Sequence, residues 1–403
     1  MSKKYLMPFV LVASLFFLWG FAHSILDVLN KHFQEFLVIS KARSAMVQAM
    51  VYGGYFLMAL PAGALIRKWG YRAGVVTGLV LYGIGALLFI PGASIMSFPF
   101  FLLCLFIIGC GLTCLETSAN PYITVLGEPE RAAQRLNLAQ SLNGLGWIVG
   151  PLVGGLLILG EDSDISLPYA VVGIVVLVLA IIFLQLHLPE VEDATQLNAE
   201  GQSGKLNVSE KKLSTIFWFG VVALFFYVAA QTGINSFFIN YVTESDTTIS
   251  SQTAAYLLSF GGMGLLFLGR LIGSWLMHYI MPARLLAMDA TVAIVCMALV
   301  VAGWGRTSVI ALCAVYFFES IMFPTIFSLA LEGIGPQWTK TASSILIMSI
   351  VGGAIAPVVM GYLGDTSMAN GFVVPLICFF VVLFYAIRKN NTICIAGQNE
   401  CLE

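Results

Sequence analysis

Charge is what this 403-residue chain has least of: only 10% of its residues are Asp, Glu, Lys or Arg, against 59% hydrophobic. A soluble domain carries about 25% charged residues, because its water-facing surface has to be covered. A mean hydropathy of +0.93 points the same way. The shortage excludes a water-soluble globule of this size, and the net charge of −2 excludes an electrostatic case for a nucleic-acid partner. Paired CxxC spacing is also missing. Six of the eight cysteines (Cys104, Cys110, Cys114, Cys296, Cys313, Cys378) lie inside apolar runs, and only Cys394 and Cys401 fall in a polar tail. They read as small buried hydrophobes and not as a zinc site or a disulfide framework. Four histidines (His23, His32, His187, His278), no HExxH and no glycine loop followed by Lys-Ser/Thr leave no recognisable enzyme constellation. The expectation is a protein that is not an enzyme and needs no cofactor.

What the chain has in abundance is apolar runs near the 20 residues that span a 30 Å hydrocarbon core. They fall at 5–29, 44–66, 73–92, 97–126, 135–160 and 167–188, then at 214–242, 252–277, 284–304, 307–331, 340–364 and 370–388. The fold class expected is all-α integral membrane, with twelve transmembrane helices in two six-helix bundles. The bundles would be 1–188 and 214–403, joined by a polar cytoplasmic linker at 189–213. The first run continues into Asp27 and Asn30 and has no small-residue cleavage pattern, so it reads as a membrane helix and not a signal peptide. The Asn207-Val208-Ser209 triplet lies in the linker and reads as a chance sequon.

Basic residues orient the spans. With the amino terminus cytoplasmic, that side collects Lys3, Lys4, Arg67, Lys68, Arg72, Arg131, Arg135, the linker lysines Lys205, Lys211 and Lys212, Arg284, Lys340, Arg388 and Lys389. The opposite face holds only Lys31, Lys41, Arg43 and Arg306. Both termini are therefore expected in the cytoplasm.

The two halves repeat. Cys114-Leu115-Glu116-Thr117-Ser118-Ala119-Asn120-Pro121 in the fourth run matches Phe317-Phe318-Glu319-Ser320-Ile321-Met322-Phe323-Pro324 in the tenth, each with a glutamate five residues before a proline, at an offset of 203. Gly146-Trp147-Ile148-Val149-Gly150-Pro151 recurs as Gly352-Gly353-Ala354-Ile355-Ala356-Pro357, offset by 206. Nearly equal offsets in consecutive helices argue for duplication. A parallel six-plus-six repeat resembles the major facilitator superfamily, which implies a solute site near the midplane. Gly63-Ala64-Leu65-Ile66-Arg67-Lys68-Trp69-Gly70-Tyr71-Arg72 resembles that superfamily's cytoplasmic loop motif with its acidic residue absent, and Gly269-Arg270-Leu271-Ile272-Gly273 stands in the related place of the second half.

Polar side chains at bilayer depth are expensive and mark cavities, ion routes or relays. His23, Asp27 and Asn30 recur at helical spacing in the first helix. Glu116 and Asn120 lie one turn apart in the fourth, where Pro121 frees a backbone carbonyl. Gln140 and Asn143 share a face of the fifth helix, and Gln231 and Asn235 a face of the seventh. Trp19 reads as a cavity wall on which a ring could stack. Amides and carboxyls with no lysine or arginine near them in sequence suit a neutral, hydroxyl-rich solute, which needs donors and acceptors together.

At these residues the chain resembles the fucose–galactose–glucose:proton symporter family. The resemblance is carried by Phe16-Phe17-Leu18-Trp19-Gly20, the Glu116-to-Pro121 run, Arg135-Leu136-Asn137-Leu138-Ala139-Gln140 and Phe323-Pro324-Thr325-Ile326-Phe327-Ser328-Leu329, and extends over all twelve helices. It implies proton coupling at Asp27 and Glu116, and sugar contacts at Gln140 and Asn143. Trp19, Asn120, Gln231, Asn235 and Glu319 complete the expected substrate set. The family's fucose-specific pattern places asparagines just before the first acid, where this chain reads His23, Ser24 and Leu26, and Glu319 is an additional acid. The expected activity is import of a neutral monosaccharide by a monomer in a bacterial inner membrane, with protons as coupling ion. Sodium coupling, or a sugar sensor on a transporter fold, are the alternatives.

Overall fold

The structure is a computed structural model of the full chain. It describes residues 3–95, 97–125, 132–159, 166–185, 215–332, 334, 342 and 345–400. The described residues are mostly helical, with no strand among them. In chain order the helices are α1 Lys3–Phe36, α2 Lys41–Ile66, α3 Lys68–Gly92, α4 Phe98–Val125, α5 Ala132–Leu157 and α6 Ser166–Gln185. They continue with α7 Thr215–Ser245, α8 Ser251–Leu276, α9 Pro282–Ala302, α10 Arg306–Leu331, α11 Ile345–Leu363 and α12 Met368–Thr392. Eleven of these are long and apolar enough to cross a bilayer. The other, α5, carries a shorter apolar stretch among the described residues, Leu142–Leu157. The linker expected at 189–213 lies outside the described residues.

The breaks between helices follow from local chemistry. Gly70 lies near the start of α3 with φ 80°, a left-handed conformation that glycine adopts without penalty, and kinks the chain inside the basic stretch. Ser40 and Ser250 begin α2 and α8 in the same way, each side chain accepting from the backbone N–H three residues on. The shared cap repeats the duplication at the level of single hydrogen bonds.

Two compact units are formed. One consists of Met1–Ile25, Met50–Lys212 and Gly335–Lys340; the other of Leu26–Ala49, Leu213–Ile334 and Thr341–Glu403. The second unit therefore takes in the end of α1 and the start of α2. Within it Asn30 donates to the Ser236 carbonyl at 2.8 Å, Asn240 donates to Gln34 at 2.7 Å, and Lys41 pairs with Glu244 at 2.6 Å.

In lipid, apolar side chains gain little by turning inward, so helix association relies on close packing of small residues. In the first unit a Cβ on Gly146 would strike the Phe17 carbonyl, and one on Gly20 the Asn143 carbonyl, which brings α5 against α1 at backbone contact. In the second unit a Cβ on Gly352 would strike the Phe225 carbonyl, bringing α11 against α7. Gly146 and Gly352 are the two glycines that the sequence repeat aligns. Outward faces stay apolar: Ile174 and Ile181 on α6 are exposed while Tyr169 and Phe183 are buried.

Lys31, Lys41 and Arg306, expected on the sparsely charged face, have carboxylate partners: Lys31 with Glu35 at 3.4 Å, Lys41 with Glu244, and Arg306 with Asp246 at 3.3 Å. Asp246 lies beyond the end of α7. Hydrogen bonds from the Thr248 hydroxyl and amide, then Arg306, hold its carboxyl below the ordinary aspartate range.

Candidate functional site

The first unit gathers one cluster. Glycine contact between α1 and α5 lets Asn143 donate from Nδ2 to the Phe16 carbonyl at 3.1 Å, which fixes the amide against α1. Two turns further along α1, His23 hydrogen-bonds through Nδ1 to the Trp19 carbonyl at 3.2 Å. Its ring is enclosed by Trp19, Tyr52, Tyr55 and Trp147, with centroid separations of 5.6–5.9 Å. Glu116 on α4 is 5% exposed. The Tyr55 hydroxyl lies beside both its carboxyl and the Trp19 indole. Yet Glu116 Oε2, the Tyr55 hydroxyl and Trp19 Nε1 are all buried without a hydrogen-bond partner. Buried polar atoms in folded proteins are nearly always satisfied. The three stand close enough to act on one another, the Tyr55 hydroxyl on both Trp19 and Glu116, in geometry loose enough to leave donors and an acceptor for a hydroxylated ring.

The second unit gathers another. Asp27, on the part of α1 that belongs to this unit, is 2% exposed and accepts from Gln48 Nε2 at 2.9 Å, leaving Oδ2 unpartnered. Asn30 lies almost one turn on and is held by its bond to the Ser236 carbonyl. On α10, Glu319 is fully buried and closes the helical segment Arg306–Glu319; the helix resumes at Met322. Pro324 has no N–H to offer the carbonyl four residues back, that of Ser320. Arg270 on α8 fills the gap, donating from Nε to Ser320 O at 3.2 Å, and the Tyr227 hydroxyl donates to the Glu319 carbonyl at 3.1 Å. The Glu319 carboxyl faces Gln231 and, at longer range, Arg270, and neither of its oxygens has a hydrogen-bond partner.

The sequence-predicted residues are thus placed as follows. Trp19, Glu116 and Asn143 stand in the first cluster; Asp27, Gln231 and Glu319 in the second, with Asn235 buried one turn along α7 from Gln231, its Oδ1 unpartnered. Gln140 lies on the same face of α5 as Asn143 and is half-buried. Asn120 belongs to α4, but its side chain lies outside the described residues. Sequence reasoning missed Tyr55, Tyr52 and Trp147, which read as ordinary aromatics of apolar runs. It missed Tyr316, whose buried hydroxyl is also unpartnered. It also placed no basic residue near the acids, whereas Arg270, 49 positions from Glu319 in the chain, lies within its electrostatic reach. The signal that could have found Arg270 was its place in the second-half counterpart of the loop motif.

Comparison with known proteins places the chain in a family. The Major Facilitator Superfamily pattern matches residues 9–357. A glucose/galactose transporter of Brucella abortus biovar 1 (strain 9-941) is 37% identical over 398 residues, covering 96% of this chain and 95% of that protein. The L-fucose-proton symporter of Escherichia coli (strain K12) is 36% identical over 420 residues, covering 97% of this chain and 95% of that one. The crystal structure of a variant of the E. coli fucose:proton symporter superposes with a TM-score of 0.72 at 34% identity, covering 96% of this chain and 99% of that chain. Twelve helices, a duplicated packing of α1 on α5 and α7 on α11, and these full-length relatives together establish that the chain belongs to the major facilitator superfamily, in the family that contains those glucose/galactose transporters and L-fucose-proton symporters.

Proposed function

We propose that this protein imports a neutral monosaccharide (L-fucose, glucose, galactose or a related hexose) together with protons, by alternating access. The observation that carries the reading is the orphaned trio of Glu116 Oε2, the Tyr55 hydroxyl and Trp19 Nε1, buried beside an aromatic enclosure. Aromatic faces suit the apolar face of a sugar ring, and the orphaned atoms suit its hydroxyls.

Each residue then has a task. Asp27 and Glu116 take up and release the driving proton, since a carboxyl in a low-dielectric interior can exist neutral or charged but changes its hydrogen-bond role when it does so. Neutral Glu116 donates to the sugar; ionised, it only accepts. Asn143, held by its bond to the Phe16 carbonyl, presents its remaining amide atoms, with Gln140 on the same face. Asn120, Gln231, Asn235 and Glu319 are assigned to the remaining sugar hydroxyls. Moving one charge across the membrane is worth about 2.3 kcal/mol per 100 mV, enough for roughly 50-fold accumulation of a neutral solute. No bound cofactor is required, and the chain acts as a carrier and not as an enzyme. It is assigned to a bacterial inner membrane as a working monomer with both termini cytoplasmic, on the balance of lysine and arginine between the two faces. The bundles 1–188 and 214–403 are taken as its two moving halves.

The test is uptake of labelled L-fucose, D-glucose, D-galactose and N-acetylglucosamine into proteoliposomes, with an inward proton gradient, an inward sodium gradient or none. Uptake of one sugar driven by the proton gradient is the expected result. Uptake driven only by sodium would replace the coupling ion. No uptake of any sugar under either gradient would overturn the reading.

A further inference from the structure

The end of α1 and the start of α2 belong to the second unit, and the bonds that hold them there follow the sequence repeat. Asn30 donates to the Ser236 carbonyl and Gln34 accepts from Asn240, the partners of each pair standing 206 positions apart. That is the offset at which Gly146 recurs as Gly352. Toward the sparsely charged face, α1 and α7 therefore meet with residues set against their own repeat counterparts. Gln34 also donates to the Ser44 hydroxyl at 2.8 Å, which ties α2 into the same seam.

Two clasps of one design finish the seam. Ser40 and Ser250 cap α2 and α8, and the residue after each cap reaches the penultimate residue of α7 or α1, an acid in both cases. After Ser40, Lys41 pairs with Glu244 of α7 at 2.6 Å; after Ser250, the Ser251 hydroxyl donates to Glu35 of α1 at 2.8 Å. The first clasp reaches further. Lys41 Nζ also donates to the Gly364 carbonyl at 2.7 Å, just beyond α11, and Glu244 Oε2 accepts from the Met368 amide at 2.8 Å, at the start of α12. Beside it a Cβ on Gly361 would strike the backbone of Ala42, so α2 and α11 touch at backbone distance. The second clasp is a single hydrogen bond, to an acid that already faces Lys31 at 3.4 Å. An ammonium holds a carboxylate more tightly than a hydroxyl does.

We propose that the two clasps are unequal latches of one gate on the sparsely charged face, with Lys41 supplying most of the hold and Ser251 a smaller share. The proposal rests on alternating access of the bundles 1–188 and 214–403, as assigned above, since Leu26–Ala49 belongs to the first of these in sequence. Opening that face takes the ends of α1 and α2 away from α7, α8 and α11, and both clasps must break. Because the clasps occupy equivalent places, charge can be moved from one to the other. Removing it at Lys41 loosens the gate, and adding it at Ser251, opposite Glu35, tightens the gate.

The experiment places a reporter cysteine beneath the seam. Ser236 is 1% exposed and its hydroxyl is unpartnered, so S236C is a near-isosteric change that stays shielded while the gate is closed. Its labelling by a membrane-impermeant maleimide is timed in right-side-out membrane vesicles without sugar, against the chain lacking that cysteine. K41S and E244Q should each speed labelling about tenfold, the effect of losing one hydrogen bond to a charged group. S251K should slow it, and K41S/S251K should fall between the two single variants. If K41S does not reach the membrane, E244Q and S251K decide the matter. Unchanged labelling in K41S and E244Q, or faster labelling in S251K, would overturn the latches. Sugar uptake by the same variants separates the two readings. Opposite labelling shifts with no uptake of any sugar would keep the gate and remove the sugar, whereas sugar uptake with unmoved labelling would remove the latches alone.

Discussion

Glu116 and Glu319 occupy matching places in a duplicated sequence, each five residues before a proline, yet the structure surrounds them differently. Around Glu116 the helix runs unbroken from Phe98 to Val125 despite Pro121, and its neighbour is Tyr55, whose hydroxyl lies beside Trp19 and whose ring packs on His23. Around Glu319 the helix breaks, the freed Ser320 carbonyl is taken by Arg270, and the neighbours are a tyrosine, an amide and a guanidinium. One ancestral arrangement has therefore become an aromatic-walled acid in the first unit and a charge-balanced acid in the second. The first environment suits a ring with hydroxyls. The second sets a fixed cation and an amide near the carboxyl in place of aromatic rings. Duplication supplies two buried carboxyls, and the residues packed against them decide what each can do.

Substitutions can break or sharpen this contrast, and the largest effect is expected at Glu116. E116Q mimics the neutral acid permanently, so sugar exchange should persist while uphill accumulation, about 50-fold at 100 mV, disappears. Counterflow and gradient-driven uptake in the same vesicles check it, and retained accumulation would remove Glu116 from the coupling path. Next come the glycines that make the two halves alike. Gly146→Val and Gly352→Val each drive a side chain into a carbonyl, of Phe17 and Phe225 respectively, and each should cost about 1–3 kcal/mol. Thermal unfolding in detergent measures this, and a large inequality between the two would show that the repeat does not extend to packing.

A smaller effect is expected from Y55F, which removes one hydroxyl beside Glu116. A hydrogen bond is worth about 0.5–1.5 kcal/mol net, so the sugar KM should rise roughly 2- to 10-fold with the maximal rate less affected. Y316F should leave that KM unchanged, since its hydroxyl serves the other acid. Equal effects on KM would erase the distinction between the sites. The smallest change belongs to D246N, in the exposed pair with Arg306. Because folding holds the Asp246 carboxyl below its ordinary range, its contribution is present above about pH 3.8 and is lost as pH falls through the lowered value. Wild type should therefore melt slightly above D246N near neutral pH, with the gap closing in acid.

Much of this architecture is legible from residue order. Charge scarcity and apolar runs define the twelve helices, since 20 apolar residues have no other stable place than a bilayer core. The expected fifth span, 135–160, corresponds to α5, whose apolar stretch among the described residues is Leu142–Leu157. The acids Asp27, Glu116 and Glu319 stand out for the same reason, because a carboxyl inside an apolar run needs an explanation. Their partners do not stand out. Tyr55 and Tyr316 look like any other aromatic in a membrane helix until their hydroxyls are found buried beside a carboxyl. Arg270 looks like the end of a cytoplasmic motif until its guanidinium is found capping a carbonyl on another helix.

Sequence alone thus determined the solvent, the number of helices, the duplication and the presence of buried acids, all of which depend on the free energy of transferring individual residues into lipid. Tertiary structure decided which tyrosine faces which acid, where Arg270 spends its hydrogen bonds, and that the end of α1 joins the second unit. Those outcomes depend on how glycine-lined helices approach one another, and close contact between segments 50 to 200 residues apart is a property of packing that no local pattern contains.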